Sequence, residues 1–344
     1  MMIRLTKRQK SNWFHNHWIR MYLLLVLLFP QSMMKKCRLD YFIELDRTAR
    51  LWDLEKGVEK LMLGLHPNNI TCVRFIPNSS LAFTVSLSTV RIWDLRIAKN
   101  VYTLHSSGLG TEGELATTNT GRQNTVPISE TVITAAEVDP LGRFLFTTFS
   151  GDVRVWDLEK FAAYGRLTGA SHSPRSEVSC LSVTNDPSLQ VYTGSRDHYV
   201  KIYDVKSDGQ GIYEATHELS PPHYDSITCV LPYGDSVFTA SKDTNIMRFS
   251  TKDWKRDHLE LKAHDRAVND MCILEMERPL LATVCKAGNV KLWDITSTRR
   301  IRTVGEISQA HDDQINAITT DSGLVYTASN DTMVGVWRLS PFGS

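Results

Sequence analysis

The chain has 344 residues, of which 42% are hydrophobic, and this size allows one large core or two domains. Its net charge of +1 conceals an asymmetry, because residues 1–44 carry eight Lys/Arg against two acidic residues, whereas the other 300 residues carry a net −5. A mildly acidic body argues against binding along a nucleic-acid backbone, which requires a basic face. We therefore expect no nucleic-acid partner.

The first segment of the chain, residues 1–44, contains the only long apolar run, MYLLLVLLF at 21–29, preceded by basic residues. This pattern allows residues 1–30 to act as a secretory signal or membrane anchor. The run is nevertheless shorter than the ~20 residues of a membrane span, and no small-residue cleavage site follows it. The alternatives are a core strand or a segment that does not belong to the fold. Membrane association is therefore the secondary interpretation.

From residue 46 onward a phrase that ends in an aromatic residue recurs seven times. The aromatic residues are Trp52, Trp93, Trp156, Tyr203, Phe249, Trp293 and Trp337. Most copies are 44 to 47 residues apart, and six begin with a Thr nine or ten residues before the aromatic: Thr84, Thr147, Thr193, Thr239, Thr283 and Thr327. Apolar and polar residues alternate within each copy, which indicates half-buried strands. A period near 44 with Trp-Asp at its end resembles the WD40 repeat, which supplies four strands to each blade of a propeller.

The repeats predict an all-β fold, a seven-bladed WD40 β-propeller over residues 45–344 with an incomplete first blade. Residues around Trp52 supply one strand of that blade, 58–64 its outer strand and 40–45 a candidate third strand. The apolar run at 21–29 is the one candidate for its innermost strand. The last repeat ends near Leu339 without an outer strand of its own, so we expect an N-terminal strand to complete the first or the last blade.

The resemblance to WD40 repeats implies a hydrogen-bonded network inside each blade. The last copy carries the full set of His311, Ser329, Asp331 and Trp337, and other copies carry parts of it: His223, Ser241 and Asp243, and Ser195 and Asp197. Because buried polar groups must be paired, a structural role for these residues is favoured over catalysis or metal binding. Ala287 replaces the Asp before Trp293. The sequence contains no P-loop, HExxH or GxSxG motif, so we expect no enzymatic activity, cofactor or metal.

Two loops that join an outer strand to the next innermost strand are candidate partner-binding segments, and we expect them on one face. The insert at 104–127 is rich in Gly, Ser, Thr and Asn, which predicts a mobile loop. SPPHYDS at 220–226 presents His223 and Tyr224, which look exposed. Trp254 lies among basic residues toward the opposite face, where it either anchors a partner or covers its own blade. The alternative for each loop is an insertion that is merely tolerated.

Several strings resemble the C-terminal WD40 domain of kinesin-4-family kinesin-like proteins. They include HPNNITCVRF (66–75), FTVSLSTVRIWDLR (83–96), TGSRDHYVKIYDV (193–205) and PPHYDSI (221–227). The resemblance runs from Asp46 to Leu339 and implies a non-catalytic scaffold that contacts cargo, regulatory partners or microtubules in the cytoplasm, on the cytoskeleton. The motor P-loop and coiled-coil heptads of that family do not occur in this sequence, so motor activity is not carried over. Residues 1–44 do not resemble the family, and we interpret the chain as a truncated or misjoined relative whose first 44 residues are not native.

Overall fold

The computed structural model describes residues 3–7, 39–43, 47–53, 58–113, 122–169, 176–297, 300–321 and 323–341. All regular secondary structure in these ranges is β-strand, which confirms the predicted all-β class. Within the same ranges, no helix has the length and apolar character needed to cross a membrane. The apolar run at 21–29 lies outside the described residues. The five described cysteines are free thiols.

The chain divides into two compact units, each described separately. The N-terminal unit comprises the described residues of 28–218, and the C-terminal unit comprises those of 219–344 together with the strand near the N-terminus. In both units the sheets follow one another along the chain, and their strands pair mainly in antiparallel hairpins.

The N-terminal unit contains four sheets. Its first sheet has the order β2 (Leu39–Ile43), β3 (Ala49–Asp53) and β4 (Val58–Leu63). The second is β5 (Ile70–Phe75), β6 (Leu81–Ser86), β7 (Thr89–Asp94), β8 (Lys99–His105) and β9 (Gly110–Glu112). The third is β10 (Ala136–Val138), β11 (Phe144–Phe149), β12 (Asp152–Asp157), β13 (Ala162–Thr168) and β17 (Gly211–Glu214). The fourth is β14 (Val178–Thr184), β15 (Gln190–Ser195), β16 (Val200–Asp204) and β18 (His217–Glu218).

The C-terminal unit contains three sheets, named here by the residue at one shared turn position. The Asp243 blade is β19 (Ile227–Tyr233), β20 (Ser236–Ser241), β21 (Ile246–Ser250) and β22 (Arg256–Glu260). The Ala287 blade is β23 (Val268–Leu274), β24 (Leu280–Cys285), β25 (Val290–Asp294) and β26 (Arg302–Ile307). The Asp331 blade is β27 (Ile315–Asp321), β28 (Leu324–Ser329), β29 (Val334–Pro341) and β1 (Ile3–Lys7).

The number of complete blades differs from the prediction. Six sheets have four or five strands, and these are the complete blades of the propeller; the β2–β4 sheet has three, so the described part of the chain contains six complete blades and not seven. The strands β2, β3 and β4 lie where the sequence predicts them. The shortfall arises because no described residue occupies the innermost position of this sheet beside β2.

The last blade is completed from the other end of the chain. Strand β1 pairs antiparallel with β29, with Ile3 opposite Pro341 and Lys7 opposite Trp337. The chain thus closes the Asp331 blade with the N-terminal strand that the last repeat lacks. Both β1 and β2 come from residues 1–44, so part of this segment supplies backbone to the sheets. The division at residue 44 stays a prediction.

In the C-terminal unit, the tryptophans of the last two repeats pack against the preceding sheet. Trp293 of the Ala287 blade lies in one apolar cluster with Phe238 and Ala240 of the Asp243 blade. Trp337 of the Asp331 blade similarly packs with Leu292 of the Ala287 blade. Burial of such aromatic side chains supplies a large share of the apolar driving force. This explains why the repeat is stable only as a stack of neighbouring blades.

Two sheets of the N-terminal unit carry a fifth, outermost strand. Strand β9, from the insert, pairs antiparallel with β8, and β17 pairs parallel with β13. The second pairing depends on Gly165, because a β-carbon there would lie 2.4 Å from the carbonyl oxygen of Gly209. A fifth strand satisfies backbone groups that an open sheet edge leaves unpaired. The prediction that the whole insert 104–127 is mobile is therefore wrong for 104–113; residues 114–121 lie outside the description.

Candidate functional site

The Asp331 blade shows how each repeat pairs its buried polar groups. The buried His311 precedes β27, and its Nδ1 lies 2.8 Å from Oδ2 of Asp331 and its Nε2 2.7 Å from Oγ1 of Thr327. The indole Nε1 of Trp337 donates to the same Thr327 oxygen at 2.9 Å. With Nδ1–H donating to the carboxylate, Nε2 accepts the threonine proton and the threonine oxygen accepts from the indole. Every polar atom in the chain of contacts then has a partner.

The carboxylate of Asp331 also ties a loop to a turn. It accepts hydrogen bonds from the backbone N–H groups of Asp312, at 3.1 Å, and Met333, at 2.9 Å. Burial raises the pKa of Asp331, but the hydrogen bonds from His311 and the backbone outweigh it, so the pKa is lowered. Ser329 reinforces the turn, since its hydroxyl donates to the carbonyl of Asp313 and accepts from the N–H of Asp331.

The Asp243 blade repeats this arrangement without an indole. His223 lies 2.8 Å from Asp243 through Nδ1 and 2.8 Å from Thr239 through Nε2. Ser241 donates to the carbonyl of Asp225 at 2.9 Å. Phe249 replaces the tryptophan and is buried by packing alone.

In the N-terminal unit the buried polar groups are paired differently from blade to blade. His66 places Nε2 2.7 Å from Thr84, but its Nδ1 lies 3.0 Å from the backbone carbonyl of Arg47 in place of a carboxylate. In the β14–β18 sheet, Ser195 donates to Asp197 at 2.5 Å, within the turn that joins β15 to β16. A histidine of this network can thus use either a carboxylate or a carbonyl oxygen.

The Ala287 blade leaves part of the network open. His264 keeps its contact with Thr283, at 2.7 Å, and Trp293 donates to that threonine at 2.8 Å. With Ala287 in place of the aspartate, the buried Nδ1 of His264 has no partner among the described residues. Burial, and secondarily the charge of Lys291, lowers the pKa of His264 to about 3. The imidazole is therefore neutral at physiological pH.

The threonine at the centre of these networks is the residue that sequence reasoning missed. The resemblance assigned the network to His, Ser, Asp and Trp, whereas Thr84, Thr239, Thr283 and Thr327 join the histidine to the rest of the blade. Thr147 similarly accepts from Trp156 at 2.9 Å. The signal was present in the Thr-to-aromatic spacing of nine or ten residues, but threonine is common in strands and is readily attributed to β propensity.

The candidate partner-binding residues fall into different environments. His223 is 4% exposed, so the expectation that it faces solvent is wrong: Asp243 and Thr239 hold its ring inside the blade. Tyr224 is 77% exposed, while its backbone N–H donates to Asp243 at 2.9 Å. Trp254 is half-buried in the turn between β21 and β22, with a φ of 57°. Of these three, Tyr224 presents the largest free side chain.

The second half of the insert is anchored to the N-terminal unit. The N–H of Gln123 donates to the carbonyl of Pro67 at 2.9 Å, and Asn68 donates back to the carbonyl of Gln123 at 2.6 Å. Further along, the carboxylate of Glu130 accepts hydrogen bonds from Ser106 and Ser107. These two anchors present the intervening Ile128 to solvent.

No metal centre is assembled in the described part of the chain, where no group of three or more His, Cys, Asp or Glu could hold an ion.

Comparison with known proteins supports the repeat assignment. The family model for the WD domain, G-beta repeat, matches residues 58–94 and 165–204. Kinesin-like protein klp-12 of Caenorhabditis elegans is 48% identical over 300 residues, covering 85% of this chain and 19% of the relative. Kinesin-like proteins KIF21A and KIF21B of Homo sapiens are each 36% identical, covering 85% and 86% of this chain and 17% and 18% of the relatives. The chain thus spans less than a fifth of the length of these relatives, and it is a WD40-repeat β-propeller similar over that stretch to kinesin-like proteins.

Proposed function

We propose that the chain is a non-catalytic interaction scaffold that contacts cargo, regulatory proteins or microtubules, as the WD40 part of a kinesin-like protein would. The observation that carries this proposal is the 48% identity over 300 residues with a kinesin-like protein. The buried histidines support it, because those of the Asp243 and Asp331 blades are engaged in structural hydrogen bonds. By the same similarity, we propose a cytoplasmic, cytoskeleton-associated location.

The loop Pro221–Asp225 of the C-terminal unit is the contact surface that the geometry favours. Tyr224 has an exposed side chain on a backbone held by Asp243, so little ordering is needed when a partner binds. Tyrosine is also frequent among the residues that dominate binding energy. Asp225 beside it is exposed and able to accept a hydrogen bond at the rim.

The turn that follows the insert in the N-terminal unit offers an independent second surface. Ile128 is fully exposed at a turn closed by the hydrogen bond from the N–H of Glu130 to the carbonyl of Pro127, at 2.9 Å. A fully exposed apolar side chain on a held turn suits insertion into a partner's pocket. Residues 114–121 are not included in this surface.

Electrostatics should contribute little to the affinity of the Tyr224 loop. The chain outside residues 1–44 carries a net −5, which disfavours long-range attraction to acidic partners such as tubulin tails. We therefore expect binding through this loop to change little with salt concentration and to depend on short-range contacts of Tyr224.

Microtubule co-sedimentation of the full chain tests this proposal. The full chain is needed because β1 completes the Asp331 blade. We expect Tyr224→Ala to weaken binding by at least about tenfold, as loss of an interface anchor does, without changing the melting temperature. Trp254→Ala is the matched aromatic control, at the opposite end of the same blade. Binding that survives Tyr224→Ala but is lost with Trp254→Ala would move the site to that end, and absence of co-sedimentation would remove microtubules as the partner.

A further inference from the structure

In two blades of the C-terminal unit, an aspartate side chain collects three hydrogen-bond donors at one turn. Asp331 accepts from Nδ1 of His311, from the N–H one residue after that histidine and from the N–H two residues after itself. Asp243 makes the equivalent three contacts with His223, Tyr224 and Asn245. The carboxylate position is therefore a built anion site that the blade normally fills itself.

The Ala287 blade has the same turn without the carboxylate. The N–H of Gly288 donates to the carbonyl of Cys285 at 3.2 Å, as that of Thr332 does to Ser329 at 3.2 Å. The N–H of Lys286 donates to the carbonyl of Ala267 at 2.9 Å, as that of Asn330 does to Gln314 at 3.0 Å. The backbone thus holds its shape although the acid is missing.

Three groups whose counterparts donate to the aspartate in the other two blades consequently have no hydrogen-bond partner within the described residues: Nδ1 of His264 and the backbone N–H groups of Asp265 and Asn289. His264 is 1% exposed, so its orphaned nitrogen cannot be satisfied by bulk water. An unpaired buried donor is costly, and a charged acceptor offers the strongest compensation. The turn therefore lacks the anionic acceptor that the equivalent groups have in the other two blades.

Charges of both signs border the turn. Arg266 and Lys286 are exposed there, and the loop that carries the exposed Asp312 and Asp313 lies against Gly288. At the equivalent places in the Asp331 blade, Arg266 is replaced by Asp313 and Lys286 by Asn330. The exposed Asp265 does not oppose a carboxylate here, because Asp312 at the equivalent position stands beside Asp331 in the last blade.

We propose that the turn Lys286–Gly288 is a binding site for an aspartate or glutamate side chain of a protein partner, which supplies the carboxylate that Ala287 lacks. This inference rests on the proposed scaffold function and adds a chemical requirement to it: an acidic segment in the partner. Nδ1 of His264 is sealed beneath the turn, so the carboxylate enters as the exposed Ala287 moves outward. Lys286 and Arg266 attract the rest of the acidic segment.

The test is a titration of the full chain, labelled with ¹⁵N-histidine, with a hexaglutamate peptide. We expect a saturable shift of the Nδ1 resonance of His264. Ala287→Asp fills the position from within and should weaken peptide binding by at least about tenfold, the usual worth of a charge-assisted hydrogen bond. Ala287→Gly removes the β-carbon from the entry path and should strengthen binding.

Lysine variants separate this site from general cationic attraction. Lys242 precedes Asp243 as Lys286 precedes Ala287, and both are exposed. Lys286→Ala should weaken peptide binding several-fold and Lys242→Ala should not. Equal effects of the two variants, or a peptide affinity unchanged by Ala287→Asp, would overturn the proposal.

Acetate tests whether the turn binds a free small anion as well as it binds the peptide. If acetate at the same carboxylate concentration shifts His264 as fully as the peptide does, the turn binds small anions and the proposed protein partner is wrong. The outcome is also separable from the scaffold function. Microtubule binding that depends on Tyr224 but ignores Ala287→Asp would retain the function and remove this site.

Discussion

The Ala287 and Asp331 blades differ at two positions of their shared network, where Ala287 stands for Asp331 and Cys285 for Ser329, and the histidine and tryptophan are hardly moved. The rings of His264 and Trp293 lie 6.4 Å apart at 70°, and those of His311 and Trp337 lie 6.4 Å apart at 73°. Placement of the histidine and tryptophan thus depends on packing and on the shared threonine. The carboxylate has the separate task of tying the loop before the innermost strand to the turn of the same blade.

The two blades also hold protons differently. The carboxylate of Asp331, with its lowered pKa, faces a histidine that can donate to it, whereas His264 is kept neutral by burial and by Lys291. The same fold position therefore carries a hydrogen bond to a carboxylate in one blade and a buried nitrogen without a partner among the described residues in the next. Four variants or conditions sharpen this contrast.

Replacing the central threonine should have the largest effect and should affect both blades alike. Thr327→Val or Thr283→Val keeps the shape of the side chain but leaves a histidine and an indole nitrogen without a partner. We expect each to lower the free energy of unfolding by roughly 2–4 kcal/mol, the cost of two buried unpaired groups. Urea denaturation measures it. A loss below about 1 kcal/mol in either blade would show that the threonine is not the centre of the network.

Removing the carboxylate should make the Asp331 blade resemble its neighbour. Asp331→Ala leaves Nδ1 of His311 unpaired, and we expect a loss of roughly 1–3 kcal/mol in the free energy of unfolding, with partner binding of the folded fraction unchanged. Asp312→Ala, an exposed neighbouring acid, is the control and should be nearly neutral. If Asp331→Ala kept wild-type melting behaviour but lost binding, Asp331 would belong to a functional site and not to a structural network.

Acid should lower the free energy of unfolding, because two buried histidines resist protonation in the folded state. The pKa of His66 and of His264 is about 3 in the folded state, against 6.5 when unfolded, so the unfolded chain takes up these protons first. Their stabilising contribution is complete above pH 6.5 and is lost as the pH falls toward 3. At pH 5 we expect a loss of about 2 kcal/mol per histidine.

The pH effect also distinguishes the two blades. Ala287→Asp places a carboxylate beside His264, which favours the protonated ring. The free energy of unfolding lost between pH 7 and pH 5 should therefore shrink by up to the contribution of one histidine, while the contribution of His66 should remain. Urea midpoints compared at the two pH values provide the measurement, and an identical loss in the variant and the wild type would contradict the pKa assignment for His264.

Restoring the missing acid should have the smallest effect. Ala287→Asp at pH 7 completes the network, and we expect a gain of about 1 kcal/mol, the usual net worth of a hydrogen bond of this kind. Ala287→Ser is the control, since its side chain is too short to reach all three donors. Destabilisation by Ala287→Asp would mean that the turn cannot place a carboxylate, and it would also weaken the proposed partner site.

Local regularities made much of the fold and part of the site predictable. The alternating strands and the Thr-to-aromatic spacing identified the blades, because each blade is built from hairpins close in sequence. The resemblance to WD40 repeats implied one network for His311, Asp331 and Trp337. Their contacts form within a stretch of 27 residues.

Contacts between distant parts of the chain were not predictable in this way. Sequence alone left open which N-terminal strand closes the last blade, and β1 does so at the opposite end of the chain. The strand pairing of β9 and β17 was missed because neither segment has a strong apolar alternation. These segments are strands because they pair with the open edges of β8 and β13.

Sequence by itself thus determined the repeats, most of the strands and, through the WD40 resemblance, the candidate network, since these depend on residues within one repeat. Only tertiary structure decided that His223 is buried while Tyr224 is exposed, that the β2–β4 sheet stops at three strands and that Nδ1 of His264 has no acceptor among the described residues. Burial and hydrogen-bond satisfaction depend on what the neighbouring blade and loop place against a side chain. A single repeat does not contain that information.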